Sequence, residues 1–420
     1  MKKTDLRRLL AAGLTIGAIM TALPACAVQS SSPSGTATPG TLKAVPGFDP
    51  AAKTISLGVI TALSGPISAT ASEQIVGQEA YWSAVNAAGG IEGYTVKLVP
   101  ADNQYNPQLA VQAYQGIKDK SVMLSGILGD ASTDALLPIL NQSESLAIPS
   151  GQSAKFVKEP GLAANFTSYQ TNVFNAISHL IEKGEASKDT RFCAMVQDEQ
   201  SGKARVEALN YAGEKFGFKP GATAHFAPLD ASFTAQVQSL KNDGCEVVVF
   251  GGAANLTPNL VAAATQLDFK ATWIAEFYAI ADSFRTSPIA DYLSKNFLLT
   301  GPGANLDDTS VEGIKNLTSQ LKGKPATMQM VYGYIQGITA HAILKKAIEL
   351  GDLSGDGLRN AVNQLDSVSY QGLQGDVAFG PVESRRLPQT TTLFGYDAAK
   401  PYGLSAKEVA YEAPNNNPAF

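Results

Sequence analysis

Twice along this chain, short apolar runs alternate with helix-like stretches, and that repetition restricts the fold more than any single residue does. In the first series, 55–60, 96–99, 122–128 and 146–148 read as strands, with helices over 73–88, 107–118 and 133–142. Gly89-Gly90 stops the first helix, and Pro107 opens the second where a missing N–H is harmless. After a break at 167–171 the pattern restarts, with helices over 173–183, 203–216, 233–242 and 257–266. Strands are predicted at 192–196, 223–226, 247–250, 273–274 and 297–299, and a long helix at 329–350. Ser232 and Thr257 read as helix caps. The reading is an α/β chain: two doubly wound parallel-sheet lobes joined by a hinge. Ligands in such sheets sit beyond the carboxyl ends of the strands, so the natural site is the cleft between the lobes.

The start of the chain addresses it elsewhere. Lys2, Lys3, Arg7 and Arg8 precede an apolar stretch at 9–23, then Leu23-Pro24-Ala25-Cys26. That order is a secretory signal whose apolar core is too short for a comfortable span. It resembles a bacterial lipoprotein signal, in which Cys26 takes lipid and becomes the mature N-terminus; the alternative is an ordinary cleaved signal with Cys26 incidental. Residues 29–41, rich in Ser, Pro, Thr and Gly, read as a tether. The expected division is a signal at 1–26, a flexible linker at 27–52 and a frayed tail at 412–420. The first lobe is expected from 53–168 with 301–385, the second from 169–300 with 386–411. The expected location is extracytoplasmic, lipid-anchored to the cell membrane.

Composition removes several classes. A net charge of -5 gives no reason to bind nucleic acid. His179, His225 and His341 are dispersed, and Cys193 and Cys245 are too far apart for a zinc motif, so no metal or cofactor is expected. Outside the cytoplasm those two cysteines either pair, if their strands are neighbours, or stay as buried thiols. The chain lacks a Gly-x-Ser-x-Gly elbow and a phosphate loop, which argues against an enzyme.

More specific are Leu63-Ser64-Gly65-Pro66, Asn86-Ala87-Ala88-Gly89-Gly90-Ile91-Glu92-Gly93, Ala101-Asp102-Asn103 and Pro107, in that order. The set resembles the leucine/isoleucine/valine-binding family of ABC-transporter substrate-binding proteins. The likeness is strongest over 55–110 and looser through Val247-Val248-Val249-Phe250-Gly251-Gly252 to Phe379-Gly380. It implies a type I periplasmic-binding-protein-like fold, a monomer, and a small-molecule ligand delivered to an ABC permease in the membrane. A sensor lipoprotein that uses the same cleft to signal to a membrane receptor or kinase is the alternative.

The resemblance also points to ligand-binding positions, and here the chain departs from the family. A Ser that holds the amino-acid carboxylate falls on Asp130, and the contacts after the fourth strand fall near Gln152 and Ser153. Aromatic positions become Ser201, Ala253 and Gln329, and the acid that meets a ligand ammonium falls on Glu276. Ser64 belongs to the turn after the first strand. Glu276-Phe277-Tyr278 forms an acid-plus-aromatic cluster after a strand. Tyr105 either reaches the cleft or covers the lobe surface, and Asp130 either meets ligand or caps its helix. Two carboxylates in one dry pocket repel, so these departures favour a polar solute with amine or amide donors or hydroxyls over leucine.

Overall fold

The computed structural model describes residues 42–65, 67–417 and 420; Cys26 and the signal expected over 1–26 lie outside them. The chain first lays down β1 (Phe48–Asp49), β2 (Thr54–Thr61), α1 (Ser68–Ala87), β3 (Thr95–Asp102), α2 (Pro107–Ile117), β4 (Met123–Ile127), α3 (Asp130–Gln142) and β5 (Ala147–Pro149). Four of these strands run parallel in the spatial order β3-β2-β4-β5, and β1 pairs antiparallel with the start of β2.

A second layer follows: α4 (Tyr169–Glu182), β6 (Phe192–Gln197), α5 (Gln200–Phe216), β7 (Thr223–Phe226), α6 (Thr234–Asn242), β8 (Val247–Phe250), α7 (Thr257–Gln266), β9 (Thr272–Glu276), α8 (Ala290–Asn296) and β10 (Phe297–Gly301). Its parallel order is β7-β6-β8-β9-β10. Every residue of β6 and β8 is buried, as expected of strands covered by helices on both faces.

The chain then returns through α9 (Glu312–Gln320), α10 (Met328–Leu350) and α11 (Gly355–Asn363), with α10 packed on α1 and β4. A small ladder of β11 (Ser367–Val368) and β12 (Val377–Ala378) comes next. Finally β13 (Thr391–Tyr396) and β14 (Leu404–Tyr411) extend the second sheet antiparallel from β10. In each sheet the first parallel strand lies between the second and third, so the following connections diverge and open a crevice at the carboxyl ends of β2 and β4, and of β6 and β8.

Several local expectations are corrected. The linker expected over 27–52 does not run through its later part, because Leu42 and Phe48 are buried and β1 pairs with β2. Leu42, Val45 and Phe48, set among Pro46, Gly47 and Pro50, carry no strand alternation to announce this. The tail expected to fray is tied down over its described part: the buried Asn175 accepts from Ala413 N at 3.1 Å, Tyr211 donates to Asn415 O at 3.2 Å, and Phe420 packs edge-on against Tyr211. Ser232 is not the cap of α6; Phe233 holds that position. Thr257 is the first residue of α7 rather than its cap, and its hydroxyl donates to Ala279 O at 2.6 Å. Cys193 on β6 and Cys245 just before the adjacent β8 form a disulfide, with Cα atoms 5.8 Å apart.

Candidate functional site

Carboxyl ends of both sheets meet around a cavity with about 90 Å³ of free space, room for a handful of waters. From the first lobe come Gln74 of α1, Tyr105 after β3, Asp130 at the start of α3, and Ser150 and Gly151 after β5. The second lobe contributes Gln197 at the end of β6 and Glu199 after it, Ser201 in α5, Ala253 after β8, and Phe277 and Tyr278 after β9. Tyr169 enters from α4, and Gln329 and Tyr332 from the first turns of α10.

Asp130 is placed by backbone geometry. Gly129, with φ +93°, turns the chain from β4 into α3 where a side chain would be strained and would meet the Tyr105 ring at 3.2 Å. Gly151 makes room for the carboxylate, since a Cβ there would stand 2.0 Å from Asp130 Oδ1. Asp130 is 2% exposed, and its Oδ1 has no hydrogen-bond partner. Burial pushes its carboxyl up to about 7, the charge of Glu199 adds to the rise, and Tyr169 and Arg205 work against it. The second carboxylate, Glu199, accepts from Ser201 Oγ at 2.8 Å and lies at the start of α5. Gln197 Oε1 is a further buried acceptor without a partner.

Behind Tyr278 lies a buried ion pair, Arg205 with Glu276, at 2.9 Å. Arg205 also donates to Ser201 O at 2.8 Å and to the Tyr278 hydroxyl, and its guanidinium lies 4.0 Å over the Tyr169 ring. Burial opposes the charge, but Glu276, Tyr278 and Tyr169 hold Arg205 protonated well beyond its ordinary range. The opposite wall is an amide lattice. Gln74 donates to Gln329 Oε1 at 2.9 Å, Ser150 Oγ to Gln74 Oε1 at 3.2 Å, and Gln336 to Ser150 Oγ at 3.0 Å.

Of the positions singled out from sequence, Tyr105, Asp130, Ser201, Ala253, Phe277, Tyr278 and Gln329 line this cavity. Four others do not. Ser64 is exposed and donates to Asp102 Oδ2 at 2.6 Å, closing its own turn. Gln152 donates to the Tyr332 hydroxyl at 2.6 Å, and Ser153 accepts from Gln200 across the lobes at 3.1 Å; the cavity wall is formed two residues earlier. Glu276 does not wait for a ligand ammonium, because Arg205 already occupies it. Sequence reasoning passed over Arg205, Gln197, Glu199, Tyr169 and Tyr332. Gln197 and Glu199 follow a predicted strand directly, which was a usable signal; Tyr332 sits in a helix buried nearly all round, where no stripe marks it.

Stability of the ligand-free chain reports on Asp130. Its pKa is raised on folding, so the contribution is full below the ordinary carboxylate range and is lost as pH rises through about 7. The thermal midpoint is therefore expected to rise on going from about pH 8 to about pH 5, and Asp130→Asn is expected to flatten that dependence. A midpoint that falls on acidification in the parent, with the same slope in the variant, would contradict the assignment.

A family model described as periplasmic binding protein matches residues 54–400. The Leu/Ile/Val-binding protein homolog 3 of Brucella melitensis is 28% identical over 209 residues, which are 47% of this chain and 54% of that one. The chain thus spans about half the length of this curated relative. A fatty acid ABC transporter substrate-binding protein from Thermomonospora curvata superposes with a TM-score of 0.80 at 22% identity, covering 88% of this chain and 95% of the other. A branched-chain amino acid ABC transporter protein from Thermus thermophilus, with bound valine, gives 0.73 at 16% identity, covering 86% and 96%.

Proposed function

Because the chain belongs to the periplasmic binding protein family, we propose that it captures a small polar solute between its lobes outside the cytoplasm and passes it unchanged to an ABC permease. Lipid on Cys26 would hold it near that permease and raise their effective concentration. The observation that carries this reading is the cavity itself: Asp130 Oδ1 and Gln197 Oε1 are buried acceptors left unpaired at the carboxyl ends of the two sheets. Unpaired buried acceptors are unfavourable, and a solute with matching donors relieves them. Closure of the lobes around the solute then rejects one that leaves either acceptor unmet.

Native mass spectrometry of the full chain is expected to reveal a carried small molecule released on denaturation. Leucine and valine are expected to bind more weakly than about 1 mM by calorimetry, because their carboxylates would approach Asp130 and Glu199. Submicromolar leucine binding would contradict the donor-rich solute, and chemical turnover of a bound compound would contradict capture without reaction.

A further inference from the structure

We infer that the solute is a small organic cation with N–H donors, a primary ammonium or an amidinium on a short apolar or aromatic body, seated against Asp130, Glu199 and Gln197. This deepens the solute-capture reading and rests on it. Among the described residues the cavity wall holds two carboxylates and no Lys, Arg or His. The nearby guanidinium of Arg205 is already matched by Glu276, so an anionic solute finds no free counter-charge.

Helix N-termini would ordinarily attract a ligand's carboxylate to such a cleft. Here those places are taken by the protein's own acids: Asp130 is the first residue of α3, and Glu199 is the N-cap of α5. Asp130 Oδ1 and Gln197 Oε1, both buried and unpartnered, need hydrogens rather than lone pairs from the guest. Rings of Tyr105, Tyr169, Phe277, Tyr278 and Tyr332 also line the cavity, a surrounding that favours a delocalised or alkylated cation.

The charge environment of Asp130 sets how binding depends on pH. Facing it are Asp134 on its own helix, itself paired with Lys155, Glu199 and Arg205 of the second lobe, and the hydroxyls of Tyr105, Tyr169, Tyr278 and Tyr332. With Asp130 half-protonated at about pH 7 in the empty site, a cation must displace that proton to gain its full charge partner. Binding of a permanently charged cation is then accompanied by proton release. Affinity should fall about tenfold per pH unit below 7 and level off above it.

Calorimetry with the full chain tests this using benzamidine, benzylamine and agmatine as cations, benzamide as a neutral donor isostere of benzamidine, and benzoate as the anion. Benzamidine is expected to bind at least about tenfold more tightly than benzamide, with no heat from benzoate. Asp130→Asn should weaken benzamidine by about tenfold or more and abolish the pH dependence, while Glu199→Gln weakens binding but keeps its shape. Thermal melts establish that both variants are folded. Benzamide or benzoate binding as tightly as benzamidine, a pH-independent affinity in the parent, or silence from all three cations overturns the inference. If benzoate or an uncharged carried molecule occupies the cleft, solute capture stands and the cation falls; if the chain neither carries nor binds any compound, both fall.

Discussion

Glu276→Ala is expected to destabilise the folded chain by about 3–5 kcal/mol, the usual consequence of leaving a buried charge without its partner. Arg205 is 1% exposed, so water cannot take the place of the lost carboxylate. The remaining contacts of the guanidinium, to Ser201 O, the Tyr278 hydroxyl and the Tyr169 ring, supply dipoles and a quadrupole but no net charge. Replacing both members with apolar residues, Arg205→Met with Glu276→Leu, should recover most of that loss, because the desolvation of two ions disappears along with their attraction. Denaturant unfolding of the two single variants and the double variant measures the coupling. A Glu276→Ala protein within about 1 kcal/mol of the parent would show that the pair is hydrated and does not organise the wall of the cavity.

The same pair explains why the site was only partly legible in the sequence. An acid after a strand, Glu276, was read as a ligand contact because strand ends in this architecture face the cleft. What the chain does with that acid depends on Arg205, one turn into a helix seventy-one residues earlier, and linear order does not disclose the meeting. Asp130 differed. It directly follows a glycine after an apolar run, so its position at a strand end and helix start was readable, though its burial and orphaned oxygen were not. Gln152 and Ser153 missed the wall by two residues, since β5 is only three residues long and a short strand fixes its own end poorly.

Architecture was more accessible than chemistry. The β2–α1–β3–α2–β4 and β6–α5–β7–α6–β8 alternations carry their own periodicity, and Val247–Phe250 reads as a strand buried on both faces. Apart from α10, expected at 329–350 and found at Met328–Leu350, the return of the chain was not accessible in that way. β13 and β14 join the second sheet antiparallel, with register shifts between Thr391 and Phe394 that blur the two-residue alternation. α9 and α11 are nine residues each, too short for a pattern that stands alone.

Close helix packing supplies the second large effect, and it connects the scaffold to the cavity. α1 and α10 cross so tightly that a Cβ on Gly333 would lie 1.9 Å from Gln74 O, and one on Gly77 would lie 2.0 Å from Met330 O. In both cases the obstacle is backbone, which cannot rotate aside. Gly333→Ala is therefore expected to force the helices apart and to lower stability by about 3 kcal/mol, at the upper end for an overpacked site. The displacement acts where α1 presents Gln74 and α10 presents Gln329 and Tyr332, so the Gln74–Gln329 hydrogen bond of 2.9 Å should break and solute affinity should fall with stability. Gly116→Ala provides the matched control: the same change in a helix, α2, at an exposed position where a Cβ meets nothing within 4 Å. There the substitution should stabilise by up to about 1 kcal/mol, since alanine restricts the unfolded chain without a clash. Paired thermal melts separate steric crowding from helix propensity. If Gly333→Ala matched Gly116→Ala, the crossing would have to be wider than described and the cavity wall independent of it.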